Sequence, residues 1–128
     1  MHFKIRGGFG YYWLMAITDW SEEILLVDLG AEPLLSEDFS NLLAMLDGPG
    51  SQPRNVVLDM HQVGMLTSTN IAALMRLRKL QQLSKKRLLI CRVRDRVWAI
   101  FLTAGLDELF ETSSDVGTAL AAVQLGIR

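Results

Sequence analysis

The residues of this chain best suited to chemistry are three hydroxyls and an amide in a row, Thr67, Ser68, Thr69 and Asn70. They fall where the apolar loop Val63-Gly64-Met65-Leu66 gives way to an amphipathic run. Ser, Thr and Asn satisfy the free N–H groups of a helix's first turn, so local chemistry alone favours capping. A hydroxyl there can also accept a phosphoryl group. It has no base that would make it a nucleophile of this protein: His61 lies across the apolar loop and His2 is far off in sequence. The two histidines are ordinary loop residues on this reading. Asp59 closes the apolar run Val56-Val57-Leu58 and is either a turn-forming carboxylate or a group with a direct role at the strand's carboxyl end. Arg92 and Arg94 follow the next apolar run and form either a solvated rim or a site for an acidic face or an anion. Phosphate-binding glycine loops with lysine, Gly-x-Ser-x-Gly elbows and metal-ligand spacings are absent, so the sequence assigns no catalytic residue, no metal and no cofactor.

A chain of 128 residues, half of them apolar, can bury one core and is read as a single domain. A formal charge of -1 gives no general drive toward nucleic acid or anionic lipid. The distribution is less even, because nine of the 13 basic residues lie between Arg76 and Arg96 with only Asp95 against them. One cysteine, Cys91, can make no internal disulfide, and its apolar neighbours favour a buried structural thiol. The first residues lack a secretory pattern and no stretch reaches membrane-spanning length, so the expectation is a cytoplasmic protein without membrane insertion.

The elements that must position these residues follow from apolar periodicity. Residues 1–10, rich in glycine after a short strand over His2 to Arg6, are expected to be flexible, and 11–128 to form the domain. Tyr11 to Ile17 and Glu23 to Leu29 read as a hairpin about Asp19-Trp20-Ser21-Glu22. Ser36 is the expected N-cap of a helix through about Asp47, with Leu35, Phe39, Leu42, Leu43 and Leu46 as its apolar stripe. Asn55 to Met60 then forms a strand covered on both faces, in parallel pairing through a right-handed crossover. A helix from Ser68 to about Ser84 turns Ala73, Leu74, Leu77 and Leu80 to the sheet and leaves Ser68, Ala72, Met75 and Lys79, with Ile71 beside them, on another side. That side is either a docking surface or a set of scattered surface residues. Arg87 to Val93 gives a further strand. A third helix carries Val97, Phe101 and Ala104 and stops at Gly105, Phe110 to Thr112 adds an edge strand, and Ser114 or Asp115 caps the last helix.

The order and spacing of these pieces resemble the STAS domain of bacterial anti-sigma factor antagonists. In that family a strand ending in aspartate is followed by an apolar loop and by Asp-Ser-Ser-Gly opening a helix. Here Ser68 falls at the family's phosphoserine, Thr67 stands where the family has aspartate, and Asn70 where it has glycine. Leu102-Thr103-Ala104-Gly105-Leu106-Asp107-Glu108-Leu109-Phe110 resembles the family's Leu-Thr-Gly-Leu-x-x-Phe-like signature, and Ala119 to Val123 its terminal helix. The resemblance implies an α/β fold, a mixed sheet of four to five strands with about four helices packed on it. It implies a non-enzymatic regulator that binds an anti-sigma factor and serine kinase of the GHKL ATPase type. Ser68, or less readily Thr67 or Thr69, would be phosphorylated, and a PP2C-type phosphatase would reset it. Asp59, Ile71, Ala72, Met75 and Lys79 are the expected partner-binding residues, and Arg92 and Arg94 the alternative anion site. Two further readings stay open: a STAS-like binding subunit of a signalling complex or transport system without phosphorylation, and a small-anion or nucleotide-binding module. A homodimer is also left open.

Overall fold

The structure, a computed structural model, describes residues 3–7, 10–14 and 17–127. Its centre is a five-stranded sheet in the order β3(Ile17–Asp19), β4(Ile24–Asp28), β5(Asn55–Asp59), β6(Leu88–Cys91), β7(Glu111–Ser113). β3 pairs antiparallel with β4, and the other pairs are parallel. Four helices connect or follow the parallel strands: α1(Leu34–Asp47), α2(Ser68–Ser84), α3(Asp95–Ala104) and α4(Val116–Leu125). The mixed sheet and its helices are those the sequence implied.

Alternation along the strands divides the core into two layers. Val56, Leu58, Leu88 and Ile90 point to the face covered by Leu35, Phe39 and Leu42 of α1, Leu74 and Leu77 of α2, and Val97 and Phe101 of α3. Val57, Leu89 and Cys91 point to the other face, where Ala119, Leu120 and Val123 of α4 cover them. Both faces are thus sealed, which is why these strands carry no polar alternation. Ala104, expected on the inner stripe of α3, is exposed in its last turn.

The first hairpin is shorter than the sequence predicted. β3 begins at Ile17, while Tyr11 to Leu14 belong to a separate strand, β2(Gly10–Leu14), paired with β1(Phe3–Gly7). The turn after β3 is held by Arg54, whose guanidinium bonds to Asp19 and to the Ser21 and Ile24 carbonyls. α1 starts at Leu34 with Pro33 as its N-cap, three residues before the predicted cap. Ser36 does not cap, because Glu32 takes that part: its Oε1 accepts the Ser36 N–H at 2.9 Å and its Oε2 the Ser36 hydroxyl at 2.7 Å. The edge strand is displaced by one residue, to Glu111–Ser113. Asp115 caps α4 by accepting the Thr118 N–H at 2.7 Å, and Gly105 ends α3 in the left-handed region at φ 73°, as expected of a C-terminal glycine.

The far end of α2 is pinned by a buried amide. Gln81, 2% exposed, donates to the Arg54 carbonyl at 2.7 Å and the Arg87 carbonyl at 2.9 Å, tying the helix to the segments that enter β5 and β6. With its end fixed there, α2 delivers Ser68 to the carboxyl edge of the sheet.

Candidate functional site

Parallel pairing places Asp28 directly opposite Asp59 at the carboxyl ends of β4 and β5. The chain leaves β5 through Met60 and His61, runs through the 63–66 loop and enters α2 beside this edge.

The helix start settles which of the four polar residues caps it. Thr67 is the N-cap: its Oγ1 accepts the Asn70 N–H at 3.1 Å, and Asn70 Oδ1 accepts the Thr67 N–H at 2.9 Å. This is a reciprocal capping box with asparagine in place of the usual Glu or Gln. Asn70 is 1% exposed, and its Nδ2 donates to Glu32 Oε2 at 3.3 Å. One carboxylate therefore joins the first turns of α1 and α2. The Ser36 hydroxyl and amide, with a smaller part from Asn70, hold the Glu32 carboxyl below its ordinary range. Ser68 and Thr69 are exposed, and among the described residues their hydroxyls make no hydrogen bond. The capping chemistry that competes for Ser68 in the sequence is thus carried by its neighbours.

Asp59, at the carboxyl end of β5, is nearly buried, at 4%. Arg92 Nε donates to its Oδ1 at 2.9 Å, Arg92 Nη2 to its Oδ2, and the His61 N–H to its Oδ1 at 3.2 Å. Burial pushes the Asp59 carboxyl up, but these donors and the Arg92 and His61 charges outweigh it and hold the group below its ordinary value. Arg92 reaches it from a left-handed backbone conformation, φ 55°, unusual for a residue with a Cβ. Arg94 donates from Nε to the His61 carbonyl at 2.7 Å, and Gln62 from Nε2 to Asp28 Oδ1 at 2.9 Å. Asp28, Asp59 and His61 each offer one ligand atom, all within 4.8 Å of one another. The Arg92 guanidinium, bonded to Asp59 and 3.2 Å from His61 Nδ1, already supplies the positive charge such a trio needs.

The predicted residues therefore separate into groups. Ser68, Ala72 and Lys79 are exposed, while Ile71 and Met75 are half-buried, with their inner parts against the main core. Thr69 and Ala72 also line a shallow groove of about 220 Å³ between α1 and α2, with Ser36, Ser40 and Arg76. Asp59 is sequestered from solvent, and Arg92 and Arg94 are bonded to Asp59 and His61. Two residues enter that the sequence did not single out. Met65, 65% exposed in the loop before α2, adds a soft apolar side chain on the approach to Ser68. Glu32 is the other, and at 38 residues from Asn70 no local signal marks it.

The profile of the STAS domain matches residues 12–119. The chain belongs to the STAS domain family. No curated protein matches it in sequence. Among solved structures it is similar to an anti-sigma-factor antagonist (STAS) domain protein from Planctomyces limnophilus, with a TM-score of 0.71 and 22% identity over 84% of this chain and 96% of that one. A sulfate transporter family protein from Wolinella succinogenes gives a TM-score of 0.64 and 21% identity over 80% of this chain and 84% of that one. A variant of RsbS from Moorella thermoacetica gives 0.66 and 16% over 89% and 100%.

In this STAS domain the two departures from the family's Asp-Ser-Ser-Gly are one structural unit. Threonine at the N-cap with asparagine three residues on closes both ends of the box. The serine between them is exposed.

Proposed function

We propose that this STAS domain acts by binding, as an anti-sigma factor antagonist switched by phosphorylation at Ser68. The observation that carries the reading is the division of labour in the first turn of α2. Thr67 and Asn70 satisfy each other, and the Ser68 hydroxyl stands exposed beside them, unbonded among the described residues. The partner is an anti-sigma factor that is also a serine kinase of the GHKL ATPase type and brings the ATP. A PP2C-type phosphatase resets the switch in the same cytoplasmic compartment. Met75 and Lys79, two and three turns beyond Ser68 on the same side, with Ile71 and Met65 nearby, form the docking surface.

Phosphate here works on the surface and leaves the fold intact. The capping box leaves N–H groups of the first turn for the phosphate oxygens, and the helix dipole favours negative charge at this end. About −1.5 to −2 charges would then stand beside Ile71, at the head of this surface, and oppose docking of a partner matched to the neutral surface.

Intact-mass and fragment mass spectrometry of the protein from its native cell, with and without phosphatase, tests this. Phosphate on Ser68 is expected, together with a kinase-type partner captured by wild-type and Ser68→Ala chains but lost with Ser68→Asp. Phosphate confined to Thr69 would move the acceptor onto the α1–α2 groove. Unmodified protein under several growth conditions would remove the switch and leave a STAS binding subunit.

A further inference from the structure

The fold splits the basic cluster between the two ends of the sheet. Arg92 and Arg94 stand at the carboxyl end and are bonded to Asp59 and His61. At the amino end, where α2 finishes and β6 and β7 begin, Arg78, Lys85, Lys86 and Arg87 line a cavity of about 490 Å³ together with Phe110 and Glu111. That volume lies within the range of small-molecule sites, about 300–1,000 Å³.

The charges in it do not cancel. Arg87 Nη2 meets Glu111 Oε2 at 2.6 Å and Arg87 Nη1 donates to the Ala122 carbonyl at 3.0 Å, so one of the four cations is set against the one acid that lines the cavity. Arg78 commits only Nε, to the Leu109 carbonyl at 2.8 Å, which leaves its two terminal nitrogens to the cavity. Lys85 and Lys86 form no ion pair among the described residues. The negative end of the α2 dipole lies nearby, but it amounts to about half a charge. Its Gln81 and Gln82 carbonyls are already taken by the Lys85 and Lys86 N–H groups. Three unmatched cations around one cavity exceed what helix capping requires.

We propose that this groove binds the oligophosphate group of a small molecule. Two lysines supply point charges and Arg78 a forked pair of donors, the combination that holds adjacent phosphates. The site lies about 25 Å from Ser68, the length of a 17-residue helix, so its occupancy leaves the opposite end of α2 open. The inference stands independently of phosphorylation at Ser68.

Isothermal titration calorimetry of the full chain, with inorganic tripolyphosphate and ATP as separate probes at low and physiological ionic strength, tests it. Saturable one-to-one binding that weakens with salt is expected. The Lys85→Gln/Lys86→Gln chain should bind at least about tenfold more weakly, from the loss of two charge-assisted contacts. Arg78→Gln should weaken binding to a smaller degree. Arg76→Gln/Arg96→Gln removes the same formal charge outside the groove and should bind as wild type does. Tighter binding of ATP would support the site and add Phe110's wall as a nucleoside contact, while equal affinities would support recognition of the phosphates alone. Absence of saturable heat with both probes, or equal weakening in the two double variants, would overturn the proposal.

Discussion

Replacing Asn70 by alanine should show how the turn carrying Ser68 is held. The substitution removes the acceptor for the Thr67 N–H and the donor to Glu32, from a side chain that is 1% exposed. A helix-cap interaction is worth about 1 kcal/mol. A buried backbone donor left unpaired costs about 1–3 kcal/mol, and the lower part of that range applies because water can reach exposed Thr67. Alanine's helix propensity offsets about 0.5 kcal/mol. The net loss is about 2 kcal/mol, and Asn70→Gly should lose about 0.5–1 kcal/mol more from backbone freedom. Urea unfolding, followed by tryptophan fluorescence, should move to a lower midpoint with an unchanged slope. Ser68→Ala, which removes no bond made among the described residues, should stay within about 0.5 kcal/mol of wild type. If Asn70→Ala also stayed within that margin, the capping box would not be what fixes this turn.

Arg92 holds its left-handed backbone and its bond to Asp59 together, so Arg92→Gly and Arg92→Ala both lose the pair but only glycine relaxes the backbone. The glycine chain should be the more stable by about 1 kcal/mol in thermal unfolding, and equal losses would show that the conformation relaxes once the guanidinium is gone. Asp38 is buried and accepts the Gly30 N–H at 3.0 Å. Burial raises its carboxyl above the ordinary value, aided by the Glu37 and Asp28 charges and opposed by that N–H. The folded chain therefore favours the protonated acid, and the stability this gives is present below about pH 3.9 and lost as pH rises through the folded value. Asp38→Asn should gain on wild type between pH 4 and 7, and a widening deficit would contradict the assignment. For Asp59 the sign is opposite: its stabilisation is present above the unfolded value and fades as acid protonates the lowered carboxyl. Burial pushes the Cys91 thiol up to about 12, so a thiol-exchange reagent should react with it at neutral pH only after denaturant is added.

The sequence revealed the layers better than the site. Val56 to Leu58 and Leu88 to Cys91 are unbroken apolar runs because α4 covers one face and α1 to α3 the other, and that pattern survives in the linear string. The start of α1 was missed because a serine in a good capping position was itself captured, amide and hydroxyl, by Glu32 four residues earlier. Thr67 and Asn70 carried a readable signal, since a hydroxyl with a side-chain amide three residues on is the spacing of a capping box. Nothing local could couple Asp59 to Arg92, 33 residues away, because their meeting depends on β5 and β6 being neighbours in register. The basic cluster was visible as composition, but which of its members are matched became visible only when the chain was folded.

A phosphorylation switch must change what a surface binds without changing whether the domain folds, and that requires the modified group to carry little structural weight. In this chain the weight is carried on either side of it. Thr67 and Asn70 close the helix start, Glu32 ties that start to α1, and Gln81 fixes the far end against the strands' entry points. Ser68 is left exposed between them, its hydroxyl unbonded among the described residues. If Ser68 were instead the cap, phosphorylating it would unpair the first turn and couple the switch to unfolding. The geometry of α2 separates the two.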